Sequence, residues 1–197
     1  FLGPADSITF TESGLRARVV VDQLDFASFP LTGYRIEGEA WAGRRGADLG
    51  GSFRRLEAQG SWVRSFGAHT LNLHARTALA EQAGESRLGR YALGGFHQLS
   101  GYQIDQLDGN AMLFLRAGWY RRLTRTPMLT RGFFVGATLE AGNVWQRRED
   151  ISLNNSIIAG SIFVGADTPL GPVYLGYGRN DTGVGSAYLT LGPLFSF

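Results

Sequence analysis

Gly94-Gly95-Phe96-His97-Gln98-Leu99-Ser100-Gly101-Tyr102 lies near the middle of the 197-residue chain. It is too irregular and too rich in glycine to be the interior of a strand. On both sides the sequence alternates apolar and polar residues, segment after segment. The stretch therefore reads as a long loop between two blocks of strands, folded back into the protein. A loop of this size without regular structure of its own is usually functional or disordered.

Upstream, Leu15, Ala17, Val19 and Val21 alternate with Arg16, Arg18, Val20 and Asp22. A period of two predicts a strand with one apolar face. Phe29-Pro30-Leu31-Thr32-Gly33 has turn composition. A second strand sets Tyr34, Ile36, Gly38 and Ala40 against Arg35, Glu37 and Glu39. A third sets Leu56, Ala58, Gly60 and Trp62 against Arg55, Glu57, Gln59 and Ser61. After Gly67-Ala68, a fourth sets Leu71, Leu73, Ala75 and Leu79 against Asn72, His74 and Arg76. Residues 81–108 form the loop region, with a polar run leading into the glycine-rich stretch.

Downstream the alternation resumes through Leu113–Trp119, Phe133–Ala141, Ile158–Val164, Val173–Tyr177 and Ala187–Phe197. That makes nine strands, with Asp6–Thr11 as a candidate tenth and residues 1–13 as an N-terminal segment or short edge strand. A soluble β-sandwich would alternate in the same way. Three features favour a transmembrane barrel. Many strands approach the ~9–11 residues that cross a bilayer at a tilt. Nearly every polar face carries Arg, Glu, Gln, His or Gly, as a wet lumen would. Aromatic residues gather toward strand ends (Tyr34, Trp41, Trp62, Phe66, Trp119, Tyr120, Trp145), where interfacial belts form.

Composition agrees. Hydrophobic residues make up 44% and charged residues only 18%, below the roughly 25% of soluble domains. Aromatics at 12% and a net charge of +2 argue against disorder and against a nucleic-acid partner. The local arginine pairs fall at segment ends, as strand-end charges. There is no cysteine and no apolar run near the ~20 residues of a membrane-spanning helix. The sequence begins at Phe1 with no signal peptide in view, so a processed or excised piece is expected.

Four segments resemble the C-terminal barrel of bacterial patatin-like (type Vd) autotransporters, within the bacterial surface-antigen superfamily of outer-membrane assembly and two-partner secretion proteins. They are Val21-Asp22-Gln23-Leu24-Asp25 with Phe29-Pro30-Leu31-Thr32-Gly33-Tyr34; the loop from Gly94-Gly95 to Leu99-Ser100-Gly101-Tyr102; Leu139-Glu140-Ala141-Gly142-Asn143-Val144-Trp145; and Gly165–Pro172 with Tyr174–Gly178. The resemblance implies an all-β fold, a transmembrane antiparallel β-barrel with an inward-folded lumen loop. About 8 to 10 strands are present where the family barrel has about 16. An even strand number would need Asp6–Thr11 as the tenth, the loss of one segment, or closure by a second copy in a homodimer.

The resemblance also implies function and partners: a translocator or anchor in the bacterial outer membrane, held in lipid, inserted by the outer-membrane assembly machinery and covalently joined to a passenger domain. Tyr188, Leu191, Phe195 and Phe197 resemble the C-terminal signal that the machinery reads. In the wider superfamily the loop carries an arginine that reaches an acidic residue on the wall. Ser100 stands at that position here, so Glu140 is expected to need another partner. Arg116, inward-facing on the preceding strand, is the candidate for a lumen charge pair with Glu140.

Catalysis is not expected. The Gly-x-Ser-x-Gly elbow of patatin lipases does not occur. Asp181-Thr182-Gly183 is a turn composition rather than a protease site. His69 and His74 fall on opposite faces of one strand, so no metal site and no cofactor is expected. Passive pore, assembly-type insertase, membrane-embedded enzyme and soluble lipid carrier are the competing functions.

Overall fold

The structure, a computed structural model, describes residues 11–26, 29–46, 51–82, 90–124 and 132–192. Among them there is no α-helix. Nine strands form one antiparallel sheet: β1 (Glu12–Asp22), β2 (Thr32–Arg45), β3 (Gly51–Phe66), β4 (His69–Gln82), β7 (Ala111–Thr124), β8 (Gly132–Trp145), β9 (Ile157–Thr168), β10 (Gly171–Asn180) and β11 (Gly185–Leu191). They pair in chain order, each with the next. The only interruption is the central loop, whose short strands β5 (Tyr91–Leu93) and β6 (Leu107–Gly109) pair with each other. The chain is all-β, as expected. Of the candidate tenth strand, residues 6–10 lie outside the described residues, and β1 begins just beyond it.

The register decides which residues share a face. Arg35 lies opposite Ser61, Ser61 opposite His74, His74 opposite Arg116, Arg116 opposite Glu140 and Glu140 opposite Ala159. The polar members of the alternating runs thus fall on one face, which is covered along β7–β10 and open on β1. Glu140 is fully buried while its neighbour Leu139 is 63% exposed; Arg116 is 6% exposed while Leu115 is 46%. The inner wall is polar and the outer wall apolar, the reverse of a sheet that packs on a hydrophobic core in water.

Two apolar clusters sit on the inner face, one toward each end of the strands. Phe29, Phe96, Tyr120, Phe134, Phe163 and Tyr174 form the first, with Tyr188 packed against it. Ala78, Leu93, Leu99, Met112, Phe114 and Ala159 form the second. Both draw residues from the central loop. The first also draws on the β1–β2 turn, which bends over its end of the sheet. Phe29 stacks on Phe134 with ring centroids 3.9 Å apart. Asp25 holds the bend by accepting the Leu31 and Thr32 amides at 2.8 and 3.2 Å. Tyr120 hydroxyl donates to the Pro30 carbonyl, and Ser65 hydroxyl to the Leu31 carbonyl.

The belt expectation holds only in part. Tyr34, Trp62, Phe66 and Trp119 are exposed on the outer face. Tyr120 and Trp145 are buried. Trp41 packs on Phe53 and beneath the Arg55 guanidinium, on the inner face. Sequence position near a strand end does not distinguish the two walls; only register does.

Candidate functional site

The central loop enters between β4 and β7 and lies on the inner face of β7–β11. Its path needs backbone conformations that few side chains adopt. Gly94, Gly95 and Gly101 have φ of 132°, 107° and 102°, and His97 and Leu99 sit in the left-handed region at 63° and 68°. Tight local bonds fold it on itself, with the Gln98 amide donating to the Gly95 carbonyl at 3.0 Å and the Tyr102 amide to the Leu99 carbonyl at 3.3 Å. The wall is shaped to receive it. A Cβ on Gly178 would lie 2.3 Å from Ser100 Cβ, and one on Gly176 would meet the Phe96 ring. Glycine at these two wall positions lets the loop backbone approach the sheet.

At the centre of the contact, Ser100 faces Glu140. The Ser100 amide donates to Glu140 Oε2 at 2.7 Å and its hydroxyl to Oε1 at 3.0 Å. Thr138 hydroxyl donates to the same carboxylate and shares a 2.6 Å hydrogen bond with Ser161. On the next strand Arg116 is the register partner of Glu140, and its Nη1 donates to the His97 carbonyl at 3.2 Å. A buried carboxylate and a buried guanidinium thus stand at paired positions on adjacent strands, and each is bonded to the loop. Burial of such charges is tolerable only with partners of this kind.

The other end of the loop is tied to the last strand. Tyr188 hydroxyl accepts from the Gly101 amide at 2.8 Å and donates to the Tyr102 carbonyl at 2.9 Å. Its ring stacks on Phe96, with centroids 5.0 Å apart. Ser186 hydroxyl donates to the Gly101 carbonyl at 3.2 Å. Leu99 and Ser100 are fully buried.

The structure therefore gathers Gly94, Gly95, Leu99, Ser100, Gly101 and Tyr102 with Arg116 and Glu140. Glu140 is expected to need a partner other than Ser100, which stands at the arginine position; instead the Ser100 amide and hydroxyl themselves supply two hydrogen bonds to the carboxylate. Tyr188 points inward to the loop while Leu191 points outward, so these two residues of the expected C-terminal signal do not share a face. Phe195 and Phe197 lie outside the described residues. Phe29, Gly176 and Gly178 were not singled out for loop or mouth contacts. Their signal was present only as turn and strand motifs. No group of His, Asp or Glu that could hold a metal is found among the described residues.

His97, in the loop outside the strands, is held well below the ordinary imidazole range by burial and then by the nearby Arg116. Its ring lies against Phe96 and Phe163, with centroids 4.1 and 5.0 Å away. The Ser100 hydroxyl lies on the Glu140 carboxylate, and along the same register row the Ser61 hydroxyl lies 2.7 Å from His74 Nδ1. What it can do is fasten: one loop is bonded to β7, β8 and β11 at once.

No family model matches the chain, and none of the curated proteins matches it in sequence.

Proposed function

We propose that this chain is the membrane-embedded barrel region of a patatin-like autotransporter in a bacterial outer membrane, acting as anchor and translocator without catalysis of its own. The inverted sheet carries the proposal. The outer wall leaves large apolar side chains exposed strand after strand, among them Leu15, Ile36, Leu56, Leu139, Ile162 and Leu189, where soluble monomers rarely expose a large contiguous apolar patch. Each large side chain on it gains about 1.5–3 kcal/mol when taken out of water. β2 has 14 residues. At about 3.3 Å per residue and a tilt of about 45° it would span about 33 Å, the thickness of a hydrocarbon core.

In lipid the outer backbone groups of β1 and β11 must be paired, so the sheet closes on itself, on further strands or on a second copy. The order of the four resembling segments along the chain favours the autotransporter barrel. The docked loop fits its lumen loop. Outer-membrane lipid, the assembly machinery and a covalently joined passenger are its partners.

Tryptophan quenching tests the membrane claim. The full chain is folded into vesicles of lipids brominated along their acyl chains. Fluorescence should be quenched, and a Trp62→Phe/Trp119→Phe variant should lose the quenching, because Trp41 and Trp145 face inward or are buried. A chain that stays soluble without detergent and is not quenched overturns the proposal. The translocator claim is tested in cells, with a protease-sensitive passenger fused ahead of the chain. The passenger should be cleavable from outside; an inserted barrel whose passenger stays protected leaves only an anchor.

A further inference from the structure

The loop covers β7–β11. The inner wall of β1–β4 is different. It carries a continuous run of cross-strand ion pairs. Arg16 grips Glu39 through two bonds of 2.8 and 2.7 Å. Arg18 Nε donates to Glu37 at 2.7 Å. Arg35 bridges Glu37 and Asp22 at 3.2 and 3.1 Å. Arg76 pairs with Glu57 at 2.6 Å. In this run four arginines meet four carboxylates.

The run is partly wet: Arg16, Arg18 and Asp22 are 58%, 50% and 45% exposed, and Arg35, Glu37, Glu39, Glu57 and Arg76 are 11–29% exposed. At the loop end of the strands a cavity of about 200 Å³ opens between the wall and the loop, lined by Arg16, Glu39, Glu57, Arg90 and Tyr91. The run extends from there to Asp22 and Arg35, beside the β1–β2 turn.

We infer that the β1–β4 wall borders a water-filled path past the docked loop, one that passes small ions of either sign. The inference rests on the membrane reading above. An arginine on a lipid-facing wall is destabilising, most of all at the bilayer midplane. Wet ion pairs hold one another only weakly. Such a ladder is therefore stable facing water and not facing lipid. Its alternating signs cancel at short range, so a passing ion meets little net field. The loop seals one side of the lumen and leaves this side open.

The test is conductance in planar bilayers under a KCl gradient, run beside the bromolipid quenching in vesicles of the same preparation. The expected result is steady conductance with a potassium-to-chloride permeability ratio within about twofold of one. Glu37→Gln/Glu39→Gln should shift the ratio several-fold toward chloride, and Arg16→Gln/Arg18→Gln several-fold toward potassium. Quenching without conductance overturns the path and leaves the membrane reading intact. Absence of quenching overturns both. A wild-type path that strongly prefers one sign, or variants whose ratios do not move, shows that ions do not run along this wall.

Discussion

Gly178→Ala is the sharpest probe of the loop's docking, because it adds one methyl group on the wall and removes no hydrogen-bonding group. The added Cβ would sit 2.3 Å from Ser100 Cβ and 3.3 Å from its Cα. Ordinary contact starts at 3.4 Å, so Ser100 must back away by about 1.1 Å. That retreat would stretch the 2.7 Å bond from its amide to Glu140 to about 3.8 Å, past hydrogen-bonding range. If the loop holds its place, overpacking costs about 1–3 kcal/mol. If it lifts, the two bonds to a carboxylate are lost, at about 1.5–3 kcal/mol each. Both routes predict loss of at least 1–2 kcal/mol from docking, a factor of about 5–30. Hydrogen exchange reads this directly, since the Ser100 and Gly101 amides are both bonded to the wall. They should exchange about 5- to 30-fold faster in the variant, with the β8–β9 amides unchanged. Unaltered protection at Ser100 would refute the close approach on which the docking geometry depends.

Arg116→Met should lower stability by about 3–5 kcal/mol, because it leaves the buried Glu140 carboxylate without its register partner. An unchanged melting temperature in detergent would sink the lumen charge pair. Phe29→Ala should cost about 3–5 kcal/mol by emptying the centre of the first aromatic cluster, measured the same way. His97 gives a pH dependence. Its folded pKa is depressed, so the stability that its neutral form contributes is present above the unfolded value of about 6.5 and lost as pH falls below it. Arg116 on β7 and Tyr174 on β10 face it, and both disfavour or leave unchanged a second positive charge in this range. Loop-amide protection factors, taken relative to the intrinsic exchange rate at each pH, should fall below about pH 6.5 in the wild type and stay flatter in His97→Gln.

The sheet was legible because the outer wall of this protein is apolar along the middle of nearly every strand. Leu139 and Glu140, or Leu115 and Arg116, lie on opposite faces in any strand, and their alternation gives the period directly. Each of the nine expected strands appears, and several run past the clean alternation, as β2 does through Gly43, Arg44 and Arg45; the last, expected to reach Phe197, is strand from Gly185 to Leu191, and residues 193–197 lie outside the described residues. The loop was legible from its glycines and from a resemblance. What it touches was not. Tyr188 looked like part of a C-terminal signal, and only the register with Gly176 turns it inward to the loop. Phe29 read as part of a turn, because a local pattern cannot show that a turn bends over to reach a strand far along the sheet. Ser100 was undervalued for a related reason. Side-chain charge is visible in a sequence, while a backbone amide aimed at a carboxylate is not.

The division of walls also bears on where stability comes from. Among the described residues the outer wall leaves its large apolar side chains exposed, so under the proposed membrane reading their burial comes from a bilayer. Cohesion of the chain itself falls to the sheet's hydrogen bonds and the two inner clusters. Leu93 and Leu99 of the loop are fully buried in the second cluster, and Phe96 joins the first. The loop is therefore part of the core and not a plug laid over a finished one. Lifting it would strip both clusters and leave Glu140 without Ser100, at a cost well above the few kcal/mol of a single contact. A passage that required the loop to leave would have to meet that cost each time. A passage along the β1–β4 wall would not, and this asymmetry is the physical reason to look for transport on that side.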